Sequence, residues 1–132
     1  MAVENFAHVG VVAADGNKMV SFFTEHLGGV LEKQTDYPER KQISSIVRIG
    51  DCRLEIMEAT APDGVVGKFL AKKGPGLHHI SLEVKNLKSF VSELEASGVE
   101  VIAKSLDNPT IHIAFVSPKA SGGLLIEMYE RL

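Results

Sequence analysis

The chain is predicted to be an α+β protein built from two tandem strand–helix–three-strand (βαβββ) modules. Three observations predict this. Segments with apolar residues at strand spacing are interrupted by stretches with helical spacing. The order strand, helix, three strands occurs twice. Short stretches also match between the halves: His8–Val12 (HVGVV) with His79–Glu83 (HISLE), and Leu54–Glu58 (LEIME) with Ile126–Glu130 (IEMYE). His79 follows His8 by 71 residues and Glu127 follows Glu55 by 72, a spacing constant enough to mark an internal repeat.

Each element has a local reason. Phe6, His8, Gly10 and the run Val9, Val11 and Val12 read as a strand, and Ala14-Asp15-Gly16-Asn17 as a turn. Met19, Val20, Phe22, Phe23 and Leu27 recur at helical spacing and are expected to face inward, with Gly28 and Gly29 as the stop. Strands are expected over 29–34, 43–49 and 53–58, the last two joined by a turn at Gly50-Asp51. Pro62-Asp63-Gly64 breaks the chain ahead of a short amphipathic helix over 65–73. The second half follows with a strand over 77–84, a helix over 87–97 stopped by Gly98, and strands over 99–103, 111–116 and 124–129. One domain spanning 1–132 is therefore expected, with module one at about 1–60, a linker helix at about 61–74 and module two at about 75–132.

Composition narrows the function. With 132 residues, 45% apolar, 23% charged and a net charge of −3, the chain reads as an ordinary globular domain. It has neither the basic footprint of a nucleic-acid binder nor the apolar run of a membrane span. The first six residues lack an export leader and Cys52 is the only cysteine, so a cytoplasmic address is expected, without disulfide or thiolate-rich zinc site.

The repeated His and Glu carry the chemistry. Glu55 lies between Leu54 and Ile56, and Glu127 between Ile126 and Met128. A carboxylate set into an apolar strand needs a partner, because burying it alone costs several kcal/mol. If the modules pack about a pseudo-two-fold axis, His8, Glu55, His79 and Glu127 converge, and a divalent cation neutralises the two carboxylates. Mixed nitrogen and oxygen ligation suits Co, Ni, Mn, Fe or Zn. Four protein ligands leave room on a six-coordinate ion for substrate, an arrangement suited to Lewis-acid chemistry. The other polar candidates have blander readings. His26 ends a helix, and His78 points away from the face of its neighbour His79. His112 is a candidate for substrate contact, and Cys52 is expected to pack.

With those residues in place, the chain resembles the vicinal oxygen chelate (glyoxalase, bleomycin resistance, dioxygenase) superfamily from Phe6 to Glu130. Gly64–Ile80, Ser117–Glu127 and Gly50–Ile56 are similar to its methylmalonyl-CoA epimerase branch. The resemblance implies that the two modules form a curled mixed sheet around a central metal site, with ligands His8, Glu55, His79 and Glu127 and a catalytic base at Glu39 of Tyr37-Pro38-Glu39-Arg40. It implies a metal-dependent isomerase acting on an acyl-CoA thioester, most simply methylmalonyl-CoA. The α-proton is abstracted through a metal-stabilised enolate, with Glu39 and Glu127 as one base per face. Lys68, Lys72, Lys73 and Lys119 are candidates for the coenzyme phosphates, against a reading as solvated helix faces. The branch usually carries a glycine and an apolar residue after the Glu39 segment, where this chain has Lys41-Gln42-Ile43-Ser44-Ser45. The loop before Ile111 is also shorter than expected. The alternative is a glyoxalase I-like (lactoylglutathione lyase-like) enzyme acting on a thiol hemithioacetal. A ring-cleaving dioxygenase and a metal-free drug-binding protein fit the four-ligand set less well. A homodimer is expected, since open sheets leave edges and apolar faces to cover.

Overall fold

The computed structural model describes residues 2–132. The chain sorts into two compact units: His8–His78, and His79–Leu132 together with the chain start up to Ala7. Both unit boundaries fall inside strands. β1 runs Val3–Ala13 and β5 runs Gly76–Val84. The α+β class and the repeated strand–helix–three-strand order are borne out.

In the His8–His78 unit, β1 leads into α1 (Gly16–His26), then β2 (Val30–Tyr37), a single 3-10 turn (Pro38–Arg40), β3 (Gln42–Ile49), β4 (Cys52–Ala59) and α2 (Val65–Lys73). The strand order is β2-β3-β4-β1. β2, β3 and β4 are antiparallel neighbours, and β1 closes the order by pairing parallel to β4 with Val9 opposite Leu54 and Val12 opposite Met57. Asp15 caps α1, its carboxylate accepting from the Lys18 amide at 3.1 Å. Val11, Ala13 and Ile56 pack under α1 with Val20 and Val47, while Val12 and Met57 pack under α2 with Val66. Helices thus cover β1 from both sides, which explains its uninterrupted apolar run.

The second unit holds most of β5, then α3 (Leu87–Ala96), β6 (Val101–Ser105), β7 (Ile111–Val116), a short α4 (Pro118–Ser121) and β8 (Ile126–Arg131). Its strand order is β5-β8-β7-β6, with Ser81 opposite Glu127 in the parallel β5–β8 pair. Val84, Leu87, Val91, Val101, Ala114 and Met128 form the core beneath α3. The chain start belongs here: Ala2 and Val3 pack on this core, and the Lys85 amide donates to the Ala2 carbonyl at 2.8 Å.

Several expectations shift. Phe22 and Leu27 are about half exposed rather than inward, because the buried stripe runs through Gly16, Met19, Val20 and Phe23, and Leu27 lies past the helix end. The strand expected over 99–103 runs Val101–Ser105, since the Val99 amide is spent on the Leu94 carbonyl at the end of α3. α4 is set by Ser117, whose hydroxyl accepts from the Lys119 amide, and by Pro118 in its first turn. Cys52 is exposed at the start of β4 rather than packed. Among the described residues, no helix is long and apolar enough to cross a membrane.

Two matched glutamates tie the helices to the sheets. Glu58, at the end of β4, accepts from the Gly16 amide that opens α1. Its repeat partner Glu130 on β8 accepts from the Asn86 and Leu87 amides at 2.8 and 3.0 Å, where α3 begins. The bonds from the Leu87 and Asn86 amides, with a smaller contribution from the nearby His112, hold the Glu130 carboxyl below the usual carboxylate range. A group whose folded pKa is depressed stabilises the fold at pH values above its unfolded pKa and loses that contribution as pH falls through the folded value. Glu130→Gln is therefore expected to cost about 1 kcal/mol in urea unfolding at pH 7. The gap between the two proteins should close below the normal carboxylate range.

Candidate metal centre

Strand register decides which side chains can act together. In the first unit Gly10 stands opposite Glu55 and Val12 opposite Met57 on the parallel β1–β4 pair. Side chains alternate along a strand, so His8 and Glu55 share the α2-side face with Val12 and Met57. His8 Nε2 lies 3.4 Å from Glu55 Oε1, and both side chains are less than a fifth exposed. That separation is longer than a good N–H···O bond. It matches two donors that each sit about 2.1 Å from one ion, which places them roughly 3.0–3.4 Å apart. The donor chemistry therefore fits a divalent cation.

The second unit repeats the arrangement with one addition. Ser81 takes the place of Gly10, opposite Glu127, and its hydroxyl donates to Glu127 Oε1 at 2.6 Å. His79 lies two residues before Ser81 on the same face and is 4% exposed. Phe115, in register with Glu127 on β7, stands edge-on to the His79 ring at 6.4 Å. Ser81 itself is fully buried. Sequence reasoning overlooked it, although it sits inside the repeated pentapeptide at the one position where the first copy has glycine.

The remaining candidates go elsewhere. His78 packs edge-on against Phe69 at 4.9 Å; burial holds its imidazole below the ordinary value, opposed by the Glu55 carboxylate. His112 does not share the Glu127 face. It pairs with Glu130 in the β7–β8 register, on the α3 side, with Nδ1 buried and 4.0 Å from Glu130 Oε1. His26 is exposed beside Phe22 on α1. Lys68, Lys72, Lys73 and Lys119 are exposed, and Lys73 lies over the Phe69 ring.

Glu39 sits on the 3-10 turn between β2 and β3 with its side chain exposed. The turn ends in Lys41, whose φ of 56° is left-handed, a conformation that glycine adopts without strain and lysine does not.

Comparison with known proteins agrees with this geometry. The Glyoxalase/Bleomycin resistance protein/Dioxygenase superfamily profile matches residues 7–115. The chain is similar to the mitochondrial methylmalonyl-CoA epimerase of Homo sapiens, with 28% identity over 127 residues that cover 92% of this chain and 70% of the relative. Its structure is similar to that of methylmalonyl-CoA epimerase from Mycobacterium tuberculosis, at a TM-score of 0.87 and 25% identity, covering 99% of this chain and 90% of the other. A Streptomyces coelicolor methylmalonyl-CoA epimerase variant in complex with 2-nitronate-propionyl-CoA is equally similar, at 0.87 and 25%, covering 98% and 99%. The repeat seen in the sequence, its two helix-anchored half-sheets and a profile that spans both modules lead to one conclusion: this chain belongs to the Glyoxalase/Bleomycin resistance protein/Dioxygenase superfamily.

Proposed function

We propose that this enzyme epimerises methylmalonyl-CoA, with one divalent cation (Co, Ni, Mn, Fe or Zn) held by His8 and Glu55 of the first unit and His79 and Glu127 of the second. The observation that carries the reading is the duplicated register, Gly10 opposite Glu55 and Ser81 opposite Glu127, each with a histidine two residues earlier on the same face. The ligand atoms offered by His8, Glu55 and His79 come from half-buried or buried side chains, and their chemistry suits such an ion. Relatives that carry the epimerase name support the substrate.

When bound, the cation supplies a Lewis acid for the negative charge that develops on the thioester oxygen. The chain's own residues do the rest. Epimerisation needs one base to take the α-proton and a second acid to deliver a proton to the opposite face, with no net redox change. Glu39 and Glu127 fill these roles, one per face. The Ser81 hydroxyl donates to Glu127 and fixes its rotamer. Neighbouring His79 and Phe115 are buried and partly buried, which limits water on that side. The proposal extends to a cytoplasmic homodimer; the exposed Phe22 and Leu27 of the α1 segment supply apolar surface for association.

The reading is tested by solvent exchange. Cobalt-loaded protein incubated with either epimer of methylmalonyl-CoA in D₂O should take up deuterium at the α-carbon, and His79→Ala protein should not. A wild-type protein shown to hold cobalt but unable to exchange that proton would remove this substrate. Turnover of a thiol hemithioacetal would then favour the lyase alternative. Ser81→Ala is expected to weaken cobalt binding about tenfold by titration calorimetry, as for the loss of a hydrogen bond that orients a ligand. Sedimentation velocity should return twice the chain mass.

A further inference from the structure

The turn that carries Glu39 is not free to wander, and what restrains it lies at the start of α2. After Glu39 the chain passes through Arg40, whose guanidinium stacks over the Tyr37 ring at 4.7 Å, into the left-handed Lys41. The Lys41 amide donates to the Pro38 carbonyl at 3.1 Å and its carbonyl accepts from the Thr60 amide at 2.9 Å. Its ammonium is paired with the Asp63 carboxylate, which the hydrogen bond from Lys41 holds below the usual range. Gly64 faces the same residues so closely that a Cβ there would stand 2.7 Å from the Arg40 carbonyl oxygen. At Gly67 a Cβ would meet the Ala61 and Pro62 carbonyl oxygens at 2.5 and 2.8 Å, so the 61–64 segment lies tight against the first turn of α2. α2 is in turn fixed to the sheet by Val66, 1% exposed, which packs on Val12 and Met57 of the face that carries His8 and Glu55.

We infer that Lys41, Asp63 and Gly64 form a clasp that docks the Glu39 turn onto the start of α2 and so sets where the Glu39 carboxylate points. These are positioning residues, and the inference rests on Glu39 being one of the two bases. An exposed ion pair alone contributes little. The close backbone approach at Gly64 supplies the constraint, and the pair selects one docking of it.

The test compares Lys41→Asp, Asp63→Lys, their double reversal, Gly64→Ala and Glu39→Gln. Each cobalt-loaded protein is given the two methylmalonyl-CoA epimers separately in D₂O, and metal-free protein is followed by amide hydrogen exchange. Glu39→Gln should abolish α-proton exchange from one epimer and spare the other. The two single reversals and Gly64→Ala should slow that same epimer about tenfold in kcat with KM unchanged, the scale expected for a misplaced catalytic group. The other epimer should stay within twofold. In the metal-free protein these variants should speed exchange at the Lys41 and Thr60 amides, and the double reversal should restore both readouts. Equal slowing of both epimers, or wild-type rates in every clasp variant while Glu39→Gln remains selective, overturns the inference. If Glu39→Gln is itself unselective, the base assignment fails and the positioning role falls with it; amide exchange then still reports whether the clasp exists.

Discussion

A carboxylate in the middle of an apolar strand has to be satisfied, and this constraint organises both modules. Each closing strand carries two glutamates three residues apart, Glu55 and Glu58 on β4, Glu127 and Glu130 on β8. A spacing of three on a strand sends them to opposite faces. Glu58 and Glu130 turn to the helix side, where the amides that open α1 and α3 are unpaired by helix geometry and receive them. Glu55 and Glu127 turn to the other face, where each meets a histidine-bearing strand. One strand therefore anchors the fold with one carboxylate and presents chemistry with the other. The parallel pairing of first and last strand in each module serves both, since it fixes the register of the histidine against the glutamate.

Much of this was legible in the residues because the repeat samples the same constraint twice. The helix over 65–73 and the strand over 111–116 appear with the expected bounds, since Pro62-Asp63-Gly64 and Gly74 punctuate the first and Asn108-Pro109 and Pro118 bracket the apolar run of the second. The face of His112 was not legible, because its pairing with Glu130 depends on register between β7 and β8, and sequence periodicity does not encode register. Phe22 misled for a different reason. An amphipathic helix with phenylalanines at adjacent positions can bury only one of them, and the choice went to Phe23 through its contact with the sheet. The left-handed backbone at Lys41 could not be read from a lysine at all, since the residue type argues against it.

The two modules are not equivalent where it matters. Gly10 offers Glu55 no donor, whereas Ser81 offers Glu127 a hydroxyl, so the second carboxylate is held by a neutral hydrogen bond and the first by an imidazole 3.4 Å away. A hydroxyl donor favours the ionised carboxylate without competing for a cation, while an imidazole supplies a second ligand atom. The two copies thus share the His and Glu positions, and the Gly10-to-Ser81 difference sets them apart.

The turns between the second and third strands of each module diverge further. In the second module Asn108 accepts from the Thr110 and Ile111 amides and from the Thr110 hydroxyl, a turn closed on itself. In the first module the matching turn has one bond of its own, from the Lys41 amide to the Pro38 carbonyl, and is otherwise held by Thr60, Asp63 and Gly64 near the start of α2, with Glu39 exposed. A turn satisfied from within spends its polar side chains on itself. One satisfied from outside leaves its own polar side chains to face solvent, as Glu39 does. Here the outside partners come from the segment that follows β4, Thr60 to Gly64, so the exit of one strand fixes the turn between two others.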